Sequence, residues 1–253
     1  MHIPAHHEAI YPIAPVPMTR PFIWLAKAWQ DIFHHGWASL AYGFLVTALG
    51  MVILAYDRHP FFLAAAMGGF MILGPIMAAG LCELSRSSDK NQVSDFDSSL
   101  NALKLNKAAL LGVANRLFIL TVAWFAISYL LISNAIGVVA PTIEQTVWGD
   151  VMQSLSMAQL VSYGLAVMAL AIVVFVCSVV TVPLIIDHHV SAKTAITTSV
   201  RVASKDVMAM LVWAALIALF TLFAFMTYLL AMVVIFPLLG HATWYAYKDL
   251  VRE

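Results

Sequence analysis

The chain has 253 residues, of which 62% are hydrophobic and only 10% charged. A soluble domain carries about 25% charged residues, so this composition, with a mean hydropathy of +0.91, excludes an ordinary soluble protein and places the chain in the membrane class. The net charge is zero, which gives no pull toward nucleic acid or another acidic polymer, and the two cysteines, Cys82 and Cys177, belong to no metal-binding motif.

Residues 1–20 read as a flexible cytoplasmic tail rich in proline and histidine. The opening "MHIPAHHEAIYPIAPVPMTRP" holds five of the ten prolines. It lacks the basic start and apolar core of a signal peptide. His2, His6 and His7 lie in this tail, where gathering them around a metal would cost conformational entropy. Residues 21–253 then form a single membrane domain.

A membrane-crossing helix needs about 20 apolar residues, because each rises about 1.5 Å through a core about 30 Å thick. Six such spans are expected, at about 39–56, 61–82, 117–140, 158–186, 207–226 and 229–247. The first two are separated by "DRHP", a polar turn suited to a hairpin. The third places Asn115 and Arg116 at its interfacial start. Val207–Tyr247 carries no formal charge. As one helix it would run roughly 61 Å, about twice the membrane thickness. It reads either as two spans turning near Met226–Tyr228 or as one span and a re-entrant segment, and two spans are expected.

Charge supports that count. With six spans, every Lys and Arg except Arg58 falls on one side. The positive-inside rule then puts both termini in the cytoplasm. Trp24, Trp29, Trp37, Trp213 and Trp244 fall near the same boundary and Trp148 on the outer loop, as interfacial tryptophans do.

Three cytoplasmic segments have the spacing of amphipathic helices. The first puts Leu25, Ala28, Trp29, Ile32 and Phe33 on one face. The second puts Phe96, Leu100 and Leu103 together, with Ser94 and Asp97 as a capping box. The third aligns Ala192, Ile196, Val200, Ala203 and Val207. The return helix of each hairpin carries one kinking proline: Pro75, Pro183 or Pro237. The expected fold is therefore all-α: a polytopic membrane protein of six transmembrane helices in three hairpins, each preceded by a cytoplasmic amphipathic helix. Small residues mark helix-packing faces. Ser39, Gly43 and Thr47 recur every four residues, as do Ala64 and Gly68, Ala65 and Gly69, and Gly74 and Ala78.

Chemistry is sparse. His34, His35, His188, His189 and His241 gather near the cytoplasmic interface, with Asp31, Glu83 and Asp187 at similar depth and Cys82 nearby. His34, His35, Glu83, Asp187, His188, His189 and His241 are thus candidate metal ligands. Adjacent histidines on a helix point to different faces, however, and no H-x-x-x-H or H-E-x-x-H spacing occurs in these segments. A polar end to a span is the favoured reading of Asp187–His189. No ionisable residue remains at mid-membrane, which argues against an ion-coupled transporter. No catalytic motif, cofactor fingerprint or haem-ligand pattern is present.

The stretches "PLIIDHHVSAKTAITTSVRVASKD", "FPLLGHATWYAYKDLV", "GFMILGPIMAAGLCELSR" and "WLAKAWQDIFHHGWASLAYGF" together resemble an uncharacterised bacterial integral membrane family, the domain of unknown function 2189 (DUF2189). The resemblance covers most of the chain from about Phe22. It implies six membrane helices in a proteobacterial inner membrane, with no established activity and no cofactor. In the family pattern the position of His188 is more often basic. Members are often labelled similar to cytochrome c oxidase subunit I, but the buried histidines that would hold haem and copper are missing here.

The sequence therefore leads to a non-enzymatic inner-membrane protein. Its expected role is as an accessory or assembly subunit of a larger membrane complex, with the lipid bilayer and a membrane-protein partner or second copy as its contacts. The alternatives are a transporter or channel for a small or lipidic solute and, more weakly, a metal-responsive membrane protein.

Overall fold

The computed structural model describes residues 11–55, 74, 77–92, 94–136 and 156–252. Its helices are α1 (Arg20–His35), α2 (Trp37–Ala55), α3 (77–89), α4 (Phe96–Leu105), α5 (Lys107–Ile136), α6 (Met157–Ser178), α7 (Thr181–His188), α8 (Ala192–Lys205), α9 (Val207–Met226) and α10 (Met232–Leu250). Among the described residues the only extended pairing is an isolated antiparallel bridge between Ile13 and Val251.

Among the described residues three stretches are long and apolar enough to cross a membrane: Lys107–Trp124, Met157–His188 and Val207–Met226. α1 and α2 qualify only as a pair, bent by 104°. The bend falls at Gly36, whose φ of 48° favours a residue without a Cβ. Most of the expected span 61–82 lies outside the described residues, as do Gly68, Gly69, Pro75 and Trp148. The third span starts earlier than the sequence suggests. Leu110, Val113, Ala114 and Leu117 extend one buried face back through the polar residues, so the helix begins at Lys107. Arg116 therefore sits inside α5, exposed, with Nη1 donating to the Gly112 carbonyl at 2.9 Å.

The fourth span is broken between α6 and α7. Pro183 in the first turn of α7 lacks an N–H, and its ring would crowd the Val179 carbonyl of a continuous helix. The turn between α9 and α10 contains neither glycine nor proline, yet it is a Schellman ending. Leu229 N donates to Ala224 O at 2.7 Å and Tyr228 N to Phe225 O at 3.0 Å. Tyr228 and Leu229 take φ values of 51° and 65°. Leu229 packs with Ala224 and Ile235, and this contact offsets the strain of left-handed backbone.

A short polar helix precedes each of α2, α5 and α9, but its buried face is not the most apolar one. α1 buries Pro21, Trp24, Ala28, Asp31 and Ile32. Trp29 and Phe33 of the expected face are instead 47% and 70% exposed. α4 is capped by Asp95 with Ser98 rather than by Ser94 with Asp97. α8 buries Ala192, Ala195, Thr198, Ser199, Val202 and Ala203, while Val200 and, at the start of α9, Val207 are exposed. In α8 small side chains let the helix approach its neighbours closely, whereas α1 buries Trp24 and Ile32 beside Ala28.

α10 is the hub. It packs along α1 and α2 and also touches α7 and α9. Pro237 inside α10 leaves the Val233 carbonyl without its usual intrahelical donor. Gly43 of α2 fits against that carbonyl so closely that any Cβ there would collide with the Val233 backbone. Ser39 and Thr47, one turn to either side, bond to His241 at 2.8 Å and to the Leu229 carbonyl at 3.4 Å. The stripe Ser39–Gly43–Thr47 thus packs within the chain.

Residues 11–19 run as an extended strap. Ala14 N donates to Leu250 O at 3.0 Å, Arg252 N to Pro12 O at 3.0 Å, and Val16 N to Asp206 Oδ2 at 2.6 Å. Prolines suit a strap, since it needs few of its own N–H groups. Beneath it, Asp249 accepts from Trp24 Nε1 at 2.7 Å and from Arg20 Nε at 2.5 Å. Burial alone would raise the Asp249 carboxyl, but these bonds and the Arg20 charge hold it below the usual range. Trp24, Trp213 and Trp244 are core residues rather than an interfacial belt. Trp24 and Trp213 meet edge to face at 5.7 Å, and the Trp244 indole donates to Asp89 at 2.6 Å.

Two glycines separate packing from propensity. Gly43→Ala forces backbone apart and is expected to cost about 1–3 kcal/mol, read as a lower melting temperature in detergent. Gly74→Ala meets nothing within 4 Å among the described residues and is expected to be neutral or to stabilise by roughly 0.5–1 kcal/mol. Equal melting of the two variants contradicts the close approach of α2 and α10.

Candidate functional site

The polar residues of the core converge where α1, α2, α3 and α10 meet. His241 of α10 is 0% exposed. Its Nε2 lies 2.8 Å from Ser39 Oγ and its Nδ1 2.7 Å from Ser85 Oγ. Ser85 donates to Asp31 Oδ2 at 2.5 Å, and Tyr245 donates to the same oxygen at 3.0 Å. A hydroxyl has one hydrogen. Ser85 gives its hydrogen to Asp31, so it must accept from His241 Nδ1–H. The neutral imidazole then accepts at Nε2 from Ser39. The protons therefore run in one direction, Ser39 to His241 to Ser85 to Asp31. His35 stacks on His241 with ring centres 6.0 Å apart and planes 12° apart, and its buried Nε2 has no hydrogen-bond partner among the described residues.

A second cluster lies on the other face of α3. Arg86 donates from Nη1 to Glu83 at 3.0 Å and from Nε to Asp187 at 3.1 Å. Lys90 lies 3.6 Å from Asp187, and Tyr247 OH donates to Asp187 at 2.9 Å. Next to it is a cavity of about 190 Å³ between α3, α4 and the end of α7. His189, in the left-handed position that ends α7, joins its wall and holds Nδ1 2.8 Å from Asn106 Oδ1.

The candidate ligands from the sequence therefore separate. His35 and His241 belong to the buried network, with His34 beside His35. Glu83 and Asp187 meet through Arg86, and His188 Nε2 is 3.9 Å from Asp187. His189 turns to Asn106. Among the described residues no group of three His, Cys, Asp or Glu side chains is placed to hold a metal. Cys82 and Cys177 are unpaired. Ser85 and Tyr245 are the network members that sequence reasoning missed. Their signal was helical spacing: Tyr245 follows His241 by four residues and Ser85 follows Cys82 by three, each on an otherwise apolar face.

Chemically the network is closed. Every heteroatom of the Ser39–His241–Ser85 core is paired and buried. His241→Phe keeps a similar volume but strips Ser39 and Ser85 of a partner. It is expected to cost about 2–6 kcal/mol, at roughly 1–3 kcal/mol for each of the two buried groups that lose a partner. A thermal melt in detergent equal to that of the wild type would contradict the network.

The described polar layer spans a region with a recognisable relative. A model of the family DUF2189, described as a predicted integral membrane protein, matches residues 62–187, from before α3 through α7. No curated protein and no solved structure matches the chain. The matched segment carries Glu83, Ser85, Arg86 and Asp187, so both clusters draw residues from it. Through residues 62–187 the chain belongs to DUF2189, a family of predicted integral membrane proteins.

Proposed function

We propose that this integral membrane protein is a non-enzymatic accessory or assembly subunit of a larger membrane complex, with respiratory complexes among its hosts. It resides in a bacterial inner membrane, crosses it six times in three hairpins and keeps both termini in the cytoplasm. The observation that carries the reading is the sealed state of its most reactive constellation. His241, Ser39 and Ser85 are fully buried and engage one another. They leave no accessible nucleophile or base, whereas general acid–base work needs a group within reach of substrate. The side facing away is different in kind. Val161, Leu165, Met168 and Ile172 form an exposed apolar stripe at helical spacing on α6, a face for lipid or for another membrane helix. The one-sided distribution of Lys and Arg supports the orientation.

Purification of the tagged full chain from native membranes in mild detergent tests the role. A fixed set of membrane proteins at constant ratio, identified by mass spectrometry, is expected. Solute uptake by liposomes holding this chain alone would overturn the assignment in favour of a transporter. The topology has its own test. A reporter that fluoresces only in the cytoplasm, fused after Glu253, is expected to be bright. A dark fusion with full activity of a periplasmic reporter at the same site puts the C-terminus in the periplasm and refutes the layout of six spans with both termini cytoplasmic.

A further inference from the structure

The cavity beside Arg86 is not used by the proposed role. Glu83, Arg86, Asn101, Asn106, Ile186 and His189 are among its lining residues. We infer that it holds the zwitterionic phosphoethanolamine headgroup of a membrane phospholipid.

Size is the first argument. Pockets for drug-sized ligands run about 300–1,000 Å³. A cavity of about 190 Å³ has room for about six waters at ~30 Å³ each, which suits a headgroup and not a larger cofactor. Position is the second. Asn106 immediately precedes the apolar stretch Lys107–Trp124, while Ile186 and His189 lie at the end of Met157–His188. The cavity therefore sits where two apolar stretches give way to polar chain, the depth at which lipid headgroups lie.

Charge selects the headgroup. Around the cavity Glu83 and Asp187 are balanced by Arg86 and Lys90. A ligand with net charge would be desolvated against a wall that offers no net opposite charge. A zwitterion brings both signs and meets both. Glu83 accepts from one Arg86 nitrogen and, at 3.5 Å, from Ser87 Oγ, and it retains lone pairs for an ammonium. Arg86 spends Nε and Nη1 on Asp187 and Glu83, which leaves the two hydrogens of Nη2 for a phosphate oxygen. His189 is anchored through Nδ1 to Asn106 and keeps Nε2 available on the same wall. Asn101 is exposed at the rim.

Native mass spectrometry of the full chain, offered equal amounts of phosphatidylethanolamine, phosphatidylcholine and phosphatidylglycerol, tests the site. One phosphatidylethanolamine is expected to be retained with about tenfold preference, a difference of about 1.4 kcal/mol. Phosphatidylcholine has no ammonium N–H for Glu83, and phosphatidylglycerol has no cation. Asn101→Trp blocks the rim from an exposed position and is expected to lower retention about tenfold at an unchanged melting temperature. Glu83→Gln is expected to remove the preference over phosphatidylcholine. Equal retention of the three lipids, or undiminished retention by Asn101→Trp, overturns the inference. Displacement of the lipid by soluble O-phosphoethanolamine at equimolar concentration would make the ligand a free zwitterion and overturn the lipid assignment.

Discussion

A buried polar atom without a partner costs about 1–3 kcal/mol, and that penalty organises this protein around one helix. α10 carries His241, Trp244, Tyr245, Tyr247 and Asp249, and each finds its partners outside α10, on α1, α2, α3 or α7. His241 meets Ser39 of α2 and Ser85 of α3, and Trp244 meets Asp89. Tyr245 reaches Asp31 of α1, Tyr247 reaches Asp187 of α7, and Asp249 takes Arg20 and Trp24. Each bond has a direction, so together they fix where α10 sits along its neighbours. Apolar contact alone would not, because lipid tails are as apolar as leucine and helices gain little by burying such surface from lipid.

The upper half of the same helix solves the complementary problem by shape. Pro237 frees the Val233 carbonyl, and Gly43 offers a Cα surface that accepts it. A Cα–H against a carbonyl is a weak attraction of perhaps 0.5–1 kcal/mol, but the close approach brings Ser39 and Thr47 within bonding range on either side. α8 repeats the strategy with Ala192, Ala195, Ser199 and Val202 against its neighbours. Most bulky residues of α6 and α9 face outward, with Met210 and Trp213 of α9 as buried exceptions. Where lipid takes large apolar side chains without cost, small ones are favoured at the closest helix contacts, while Trp24, Trp213 and Trp244 fill the core between them.

The all-helical class and the presence of helices apolar enough to cross a membrane were legible from hydropathy, because a run of about 20 apolar residues has few other uses. α9 matches its expected bounds for that reason. Periodicity misplaced the faces of α1 and α8 because it ranks side chains by hydrophobicity, while burial here follows size and bonding. Trp24 and Trp244 looked interfacial since an indole N–H usually seeks water. The half-buried Asp249 and the exposed Asp89 supply carboxylates in place of that water, and no spacing in the sequence joins residues 225 or 155 positions apart. The turn at Tyr228 had no marker because a Schellman ending needs a left-handed residue, which is usually glycine but is tyrosine here. The buried network was the least legible. Asp31, Ser39, Ser85 and His241 come from four helices, and only the pair His241 and Tyr245 shares a local pattern.

The network invites comparison with a serine–histidine–carboxylate triad, and the direction of its protons separates the two. In a triad the histidine accepts the serine proton and is held by the carboxylate through its other nitrogen. Here the carboxylate of Asp31 takes the Ser85 proton directly, and His241 donates to that serine from Nδ1. The imidazole is thus an acid toward Ser85 and a base only toward Ser39, whose Oγ is itself sealed from solvent. Activating Ser85 as a nucleophile would require it to exchange its partner on Asp31 and to open a path through α1. Activating Ser39 would require His241 to gain a proton in a site whose one carboxylate already accepts two hydrogen bonds. The same atoms that would perform catalysis in another arrangement are committed here to holding four helices in register, and this is why the chemistry available to a ligand lies at the neighbouring Arg86 wall.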